Sequence, residues 1–409
     1  MHMGKRGIVL VIAAAALLGS VGVARADWPP PPPPTCGEPT PENPTLEPCP
    51  PPLPPLVIPP TTAPNYLDIA DHWAENAIRT VAYSRDWLRL AGTSFHPNAS
   101  LTRYVLAYGL VRTFGRDSLL DPTLAFSDLA STSSWYRYAN VAVSKGWMSA
   151  PGGKFNPSGT VTKTELNAAI ARVFGLLQTV KAINSISSSD GYAFKHASSF
   201  GYHTVASHLR TYYNFPNAAH YEIFPAQRIK RGEFAYALSQ LSGTGWHLWS
   251  LQQQFGSVLL PALTPTRRKV VEFAIRYAGT PYTYAGTRAS TGVDCSGFVW
   301  WVLRAGMGNA SSRGYNGWSL PQRSSSAMAS GLTTRITYSS LRPLDILFWD
   351  VEGGYSRSAS AVGHAGIYLG NGWFIHSSGS KAGVALDWMG DGYWRDRFVW
   401  ARRVVPSSV

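Results

Sequence analysis

Apolar positions along the chain follow two regimes. Between residue 65 and about residue 243 they recur at helical spacing, in pairs of short segments separated by polar loops. Trp73, Ala77, Ile78, Val81 and Ala82 mark one face of a first helix. Leu101, Val105, Leu106 and Leu110 mark a second, with Asn98 or Ser100 as its expected cap. After residue 266 the pattern is mixed. Val270, Val271, Ala274, Ile275 and Ala278 predict a helix capped by Thr266 and stopped at Gly279. Phe298, Val299, Val302 and Leu303 predict another, opening directly at Cys295. Strand-like runs then flank Gly370-Asn371-Gly372. The expectation is a multidomain chain, with an all-α helix–loop–helix repeat region followed by a domain containing helices and strands.

The helical region repeats itself. Tyr66-Leu67-Asp68, His72-Trp73, Phe95-His96-Pro97 and Leu101-Thr102-Arg103 return as Phe126-Ser127-Asp128, Trp135, Phe155-Asn156-Pro157 and Val161-Thr162-Lys163. Asp68 to Asp128 and Arg103 to Lys163 are the same step of 60 residues. A weaker third copy ends in Phe224-Pro225 and Ile229-Lys230-Arg231-Gly232-Glu233. A fixed period implies stacked units that bury one another's faces. These motifs resemble the S-layer homology (SLH) repeat. The resemblance implies a pseudo-threefold helical domain that binds an anionic secondary cell-wall polymer, and by match it gives Arg103, Lys163 and Arg231 the polymer-binding role. The sequence departs from the family where Tyr104-Val105 replaces Ala-Glu, and where the third copy lacks the tryptophan and threonine.

The beginning of the chain changes the setting. Lys5 and Arg6 precede an apolar run over residues 8–18, which leads to Ala24-Arg25-Ala26. This pattern predicts a secretory signal cleaved after Ala26. Cleavage removes three basic groups and no acidic one from a net charge of +13, leaving +10. A basic exported protein suits an anionic partner such as a wall polymer. No Lys/Arg run or fold signature points to nucleic acid, and no later segment is expected to span a membrane. Residues 27–64 hold most of the prolines and read as an extended spacer. Cys36 and Cys49 lie within it and are expected to form a disulfide. Cys295 is left as an unpaired thiol, which in an exported protein points to chemistry.

Cys295 lies in Gly292-Val293-Asp294-Cys295-Ser296-Gly297-Phe298, and His364 and His376 follow it. A thiol at a helix N-terminus is favoured as thiolate, so Cys295 is expected to be free, partly accessible and acidic. One cysteine with two later histidines is the inventory of a Cys–His–polar triad. The context includes Gly279-Thr280-Pro281-Tyr282, Leu341-Arg342-Pro343-Leu344-Asp345, Gly363-His364-Ala365-Gly366-Ile367-Tyr368-Leu369-Gly370 and Ile375-His376. In order and spacing these closely resemble the NlpC-type peptidoglycan cysteine peptidases.

The resemblance implies an α+β papain-like domain that cleaves stem peptides, typically at the γ-D-glutamyl–diamino-acid bond. It makes Cys295 the nucleophile, His364 the base and His376 the third member. It places Tyr282 at the oxyanion and Asp294 and Ser296 on the substrate's free amine. Ala285 and Leu344 stand where the family has glycine, and a polar stretch at 352–361 precedes His364. Asp345 is a rival third member. An amidase or acyl transferase on the same fold, or a non-catalytic envelope protein, is the alternative. The other histidines (His72, His96, His196, His203, His208, His220 and His247) show no metal-ligand spacing and read as structural. No cofactor is implied.

The expected divisions are a signal peptide at 1–26, a proline-rich linker at 27–64, repeats at 65–116, 122–176 and 190–243, a linker at 244–265, and the peptidase domain at 266–409. The hairpin adds a sharper expectation. A plain two-residue turn at Asn371-Gly372 would put His364 and His376 on opposite faces of the sheet. A triad therefore requires a three-residue 370–372 loop, pairing Leu369 with Trp373, or an equivalent bulge. Gly366 then stands opposite His376, with both rings on the Cys295 side.

Overall fold

The computed structural model describes residues 65–405 except 195, 212–225, 242–250, 253, 306–319, 321–322, 332–334, 352–357, 382 and 391. The signal, the spacer, Cys36, Cys49, His220, His247 and the Phe224-Pro225 loop lie outside the described residues.

The first half is helical. It contains α1 (Glu75–Arg79), α2 (Arg103–Phe114), α3 (Tyr136–Ser144), α4 (Lys163–Val173), α5 (Leu177–Ser188), α6 (Ala197–His208) and α7 (Arg231–Gln240). Ala77, Ile78, Val81 and Ala82 are buried along α1 and the π-helical turn that extends it. Leu101, Val105, Leu106 and Leu110 are buried at and along α2. The cap of α2 is Thr102 rather than Asn98 or Ser100, and it makes no side-chain cap bond. At α4 the matching Thr162 forms a reciprocal capping box with Glu165. Val105 occupies that third position in α2, so the first copy has no carboxylate to complete the box.

Backbone hydrogen bonds tie the three helix entrances into a ring. Leu101 N–H donates to Ile229 O (2.7 Å), Ile229 N–H to Val161 O (3.0 Å), and Val161 N–H to Leu101 O (2.8 Å). A second ring runs Arg103 to Gly159 (2.8 Å), Lys163 to Gln227 (2.7 Å) and Arg231 to Ala99 (3.0 Å). Asp68 accepts the amides of Phe95 and His96 at 2.8 and 2.7 Å, and Asp128 accepts those of Phe155 and Asn156 at the same two distances. His96 and Asn156 share a left-handed φ of 54°. The carboxylate therefore locks the same turn in both copies.

The second half contains α8 (Pro265–Arg276), β1 (Thr287–Arg288), β2 (Gly292–Val293), α9 (Cys295–Trp300), α10 (Ser325–Gly331), β3 (Arg335–Ile336), β4 (Ile346–Trp349), β5 (His364–Gly370), β6 (Trp373–Ser378), β7 (Gly383–Trp388), α11 (Gly392–Arg397) and β8 (Phe398–Arg402). Among the described residues, six strands form one antiparallel sheet in the order β3-β8-β4-β5-β6-β7. The cap of α8 is Thr264, with Pro265 in the first turn, two residues before the expected Thr266.

The stretch expected to be a linker is packed. Leu251, Phe255, Val258 and Leu260 are buried, and the Phe255 ring lies 4.9 Å from that of Trp373 on β6. Tyr192 donates its hydroxyl to Pro261 O, and Glu272 of α8 accepts the Ala193 amide. Helical region and sheet share one continuous apolar core. Among the described residues no helix is long and apolar enough to cross a membrane.

Candidate active site

Asp294 caps α9, accepting the Gly297 amide at 2.5 Å, and Cys295 is the first residue of the helix. The thiol is free but buried, correcting the expectation of a partly accessible one. It is not acidic either. Burial first, and then the Asp294 carboxylate, push the thiol up to about 12. The helix terminus, already capped by an anion, does not offset those two effects. Sγ lies 3.9 Å from the carbonyl oxygen of Gly363, immediately before His364.

His364 opens β5 and His376 lies on β6. Their rings meet with Nε2 of His364 2.7 Å from Nδ1 of His376. The hairpin achieves this with a bulge. Ile367 pairs with Ile375 and Tyr368 with Phe374, but Gly370, not Leu369, pairs with Trp373. Asn371 and Gly372 form a tight turn with φ of 50° and 86°, and the extra residue ahead of it restores the register. Gly366 stands opposite His376: a Cβ there would sit 3.2 Å from the histidine's own Cβ.

The two rings share a face with Trp349, Phe374 and Trp394, and Trp394 stacks on His364 at 5.5 Å. The body of α9 lies elsewhere. Phe298 and Val299 join the core of Ile367 and Ile375, the opposite face by strand alternation. The rings are therefore not on the face that α9 covers, which corrects the expectation of both rings on the Cys295 side; the thiol meets β5 only at its leading end. Burial holds both imidazoles below their ordinary pKa, and for His364 the neighbouring His376 adds to the effect.

Tyr282 runs beside this centre, its segment bridged to Val293. Burial, followed by the charges of Cys295 and Asp294, raises its phenol well above the ordinary value, so it remains an O–H donor. Asp294 and Ser296 are already engaged. Arg323 donates to Ser296 Oγ at 2.8 Å and lies 3.4 Å from Asp294, and Ser296 donates to Asp294 at 3.0 Å. Asp345 is no rival to His376: Arg403 clamps both its oxygens at 2.8 Å, and the Arg342 amide donates to it. Ala285 and Leu344 both adopt left-handed φ, 57° and 75°, the conformation in which glycine is unstrained.

Arg103, Lys163 and Arg231 each occupy the first position of a helix within the bonded rings. Arg103 donates to Phe155 O (2.7 Å) and Ser149 O (2.5 Å), and Arg231 donates to Phe95 O (3.2 Å). Lys163 is partly buried, and desolvation brings its ammonium down to about 8.

Sequence reasoning missed four residues around Cys295, His364 and His376. These are Arg323, Trp394, Asp387 on β7, 3.7 Å from His376, and Lys381, 3.5 Å from Asp387. A lone carboxylate among the apolar residues of β7 was the one signal available. His208, read as structural, also reaches this group.

The model of the NlpC/P60 family matches residues 279–403, and that of the S-layer homology domain matches residues 125–166. Residues 279–403 are thus similar to the NlpC/P60 family. The chain is 33% identical over 137 residues to the probable peptidoglycan endopeptidase LytE of Bacillus subtilis (strain 168), covering 33% of this chain and 34% of that protein. It is 29% identical over 134 residues to the gamma-DL-glutamyl hydrolase of the same organism, covering 33% of this chain and 28% of that protein. It is 30% identical over 142 residues to the murein DD-endopeptidase MepS/murein LD-carboxypeptidase of Escherichia coli (strain K12), covering 35% of this chain and 65% of that protein. The chain thus spans about a third of the length of the first two relatives. The NlpC/P60 match begins at Gly279, beyond α8, and the SLH match falls on the second of the sequence repeats.

Proposed function

We propose that this chain is a wall-bound peptidoglycan endopeptidase in which Cys295, His364 and His376 hydrolyse a stem-peptide bond, the γ-D-glutamyl–diamino-acid bond by resemblance. The observation carrying this reading is the 2.7 Å contact between His364 Nε2 and His376 Nδ1, at the strand end the Cys295 thiol abuts. With Nε2 turned to His376, Nδ1 of His364 takes the thiol proton. The sulfur then attacks the scissile carbonyl carbon. The Cys295 amide and the Tyr282 hydroxyl donate to the resulting oxyanion. His364 returns the proton to the departing amine, and water hydrolyses the thioester. Asp294, already bonded to Ser296 and close to Arg323, offers its remaining acceptor capacity to a substrate amine. Digestion of purified muropeptides, with products identified by mass, tests the reading. New α-amino termini on the diamino acid are expected. Release of intact stem peptide from muramic acid would instead favour an amidase, and no product at all would overturn the enzyme reading.

The helical region is assigned to wall binding through Arg103, Lys163 and Arg231, three cations set around one ring of hydrogen bonds. SLH resemblance together with the basic charge supports a location at the cell surface. Sedimentation of the full chain with purified walls should weaken as salt rises and should fall at least about tenfold in the triple alanine variant, as for screened charge contacts. Salt-independent sedimentation by the variant would remove these residues from the assignment.

A further inference from the structure

We propose that Asp387 and His208 are positioning residues of the catalytic centre, so that the helical region supplies part of the hydrolytic apparatus as well as a tether. This rests on Cys295, His364 and His376 acting as the triad. Three neighbouring strands carry the line: His364 on β5, His376 on β6 and Asp387 on β7. Nδ1 of His376 faces His364, and Nε2 faces Asp387 Oδ2 at 3.7 Å. Both of these facing atoms are buried, and among the described residues neither has a hydrogen-bond partner. If His364 is to receive a proton on Nδ1, its Nε2–H must donate to His376 Nδ1. His376 then carries its own proton on Nε2, and the group it meets must be an acceptor. A carboxylate is one. Asp387 therefore sets the tautomer of His376, as His376 sets that of His364.

The line continues into the helical region. Lys381 Nζ lies 3.5 Å from Asp387 Oδ2 and 3.1 Å from Nδ1 of His208, the last residue of α6. His208 donates Nε2–H to the carbonyl oxygen of Leu386 on β7, the edge strand of the sheet, at 2.8 Å. That bond fixes its tautomer and leaves Nδ1 to accept from Lys381. Burial and the Lys381 ammonium bring His208 down to about 3, so the ring stays neutral and keeps that acceptor. Burial alone would disfavour the Asp387 anion, but the Lys381 ammonium holds its carboxyl well below the ordinary range. The helix is seated closely: a Cβ on Gly279 would stand 2.8 Å from the His203 ring, one turn before His208.

The test uses full-length Asp387→Asn, His208→Leu and His208→Gln. Two readouts are followed across the neutral pH range: stem-peptide hydrolysis, and alkylation of Cys295 by iodoacetamide read by mass at its own peptide. Asp387→Asn should lower kcat about a hundredfold with KM within about twofold. It should also move the alkylation midpoint to higher pH, because the imidazolium that accompanies the thiolate is less well held. His208→Leu should do the same to about a tenth of that extent. His208→Gln should recover most of the loss, since its amide can donate to Leu386 and accept from Lys381. If Asp387→Asn does not fold, the two His208 variants decide. Unshifted alkylation profiles in the folded variants would overturn the positioning role whatever the hydrolysis shows. Shifted profiles in a protein that cleaves no stem peptide would keep the positioning role and refute the substrate reading.

Discussion

Exchange of His364 for alanine is expected to lower stem-peptide turnover by about 10³- to 10⁴-fold and to make Cys295 nearly inert to iodoacetamide at neutral pH. The size of the effect follows from the thiol's surroundings. Burial and Asp294 push Cys295 up to about 12, so acting alone it would be ionised in roughly one molecule in 10⁵ at neutral pH. In the proposed mechanism the thiolate therefore arises by direct transfer to an imidazole, leaving an ion pair. His364 is the imidazole at that strand end, and His376 and Trp394 hold its plane. The truncation also leaves a cavity beside Trp349 and Trp394, so some stability is lost and both readouts are taken on folded protein. Alkylation is the decisive readout. Wild-type alkylation rates in His364→Ala would show that the thiolate forms without this ring and would remove it as the base.

Gly297→Ala is expected to cost about 2–4 kcal/mol of stability and to displace the nucleophile. A Cβ at Gly297 would lie 2.0 Å from the carbonyl oxygen of Gly286 and 2.8 Å from Arg323 Nη2. That carbonyl cannot step aside, since it accepts both the Asp294 amide (3.2 Å) and Arg323 (2.8 Å). The helix start carrying Cys295 has to move instead. The quartet Asp294-Cys295-Ser296-Gly297 thus has a mechanical reading: Asp caps, Cys opens the helix, Ser is held by Arg323, and Gly permits close passage of the neighbouring loop. Gly256→Ala is the control, because among the described residues its Cβ would meet nothing nearer than 3.8 Å. Urea midpoints of the two variants should separate clearly. An unchanged midpoint in Gly297→Ala would show that the loop yields.

Local chemistry made much of the site readable beforehand. Helical spacing from Phe298 onward put Cys295 at a helix start, and the demand that two histidines share a face required an irregular hairpin. Which irregularity occurred was less accessible. A three-residue loop and a bulge both restore the register, and only packing around Gly370, where a Cβ would stand 2.4 Å from Pro261, distinguishes them. The thiol's ionisation was misread because the helix terminus was weighed without the burial and the anion that oppose it. Asp387 and Trp394 reach the two histidines, and Arg323 reaches Asp294 and Ser296, through tertiary contacts that no short motif encodes. His208 is separated by 178 residues from the strand carbonyl it bonds, and nothing in its own helix marks it. The packed connection at 251–260 escaped notice for a related reason, its glycines and prolines reading as punctuation although Leu251, Phe255 and Val258 are core.

The central claim is that a bond in the wall's stem peptide is cut by the Cys295 thiol. The most direct measurement is parallel digestion of one muropeptide preparation by the full-length protein and by Cys295→Ala, with products resolved by mass spectrometry. Cleavage within the stem peptide by the wild type, reduced at least about 10⁴-fold in the variant, is the predicted result. Equal cleavage by both proteins, or none by the wild type, would contradict it.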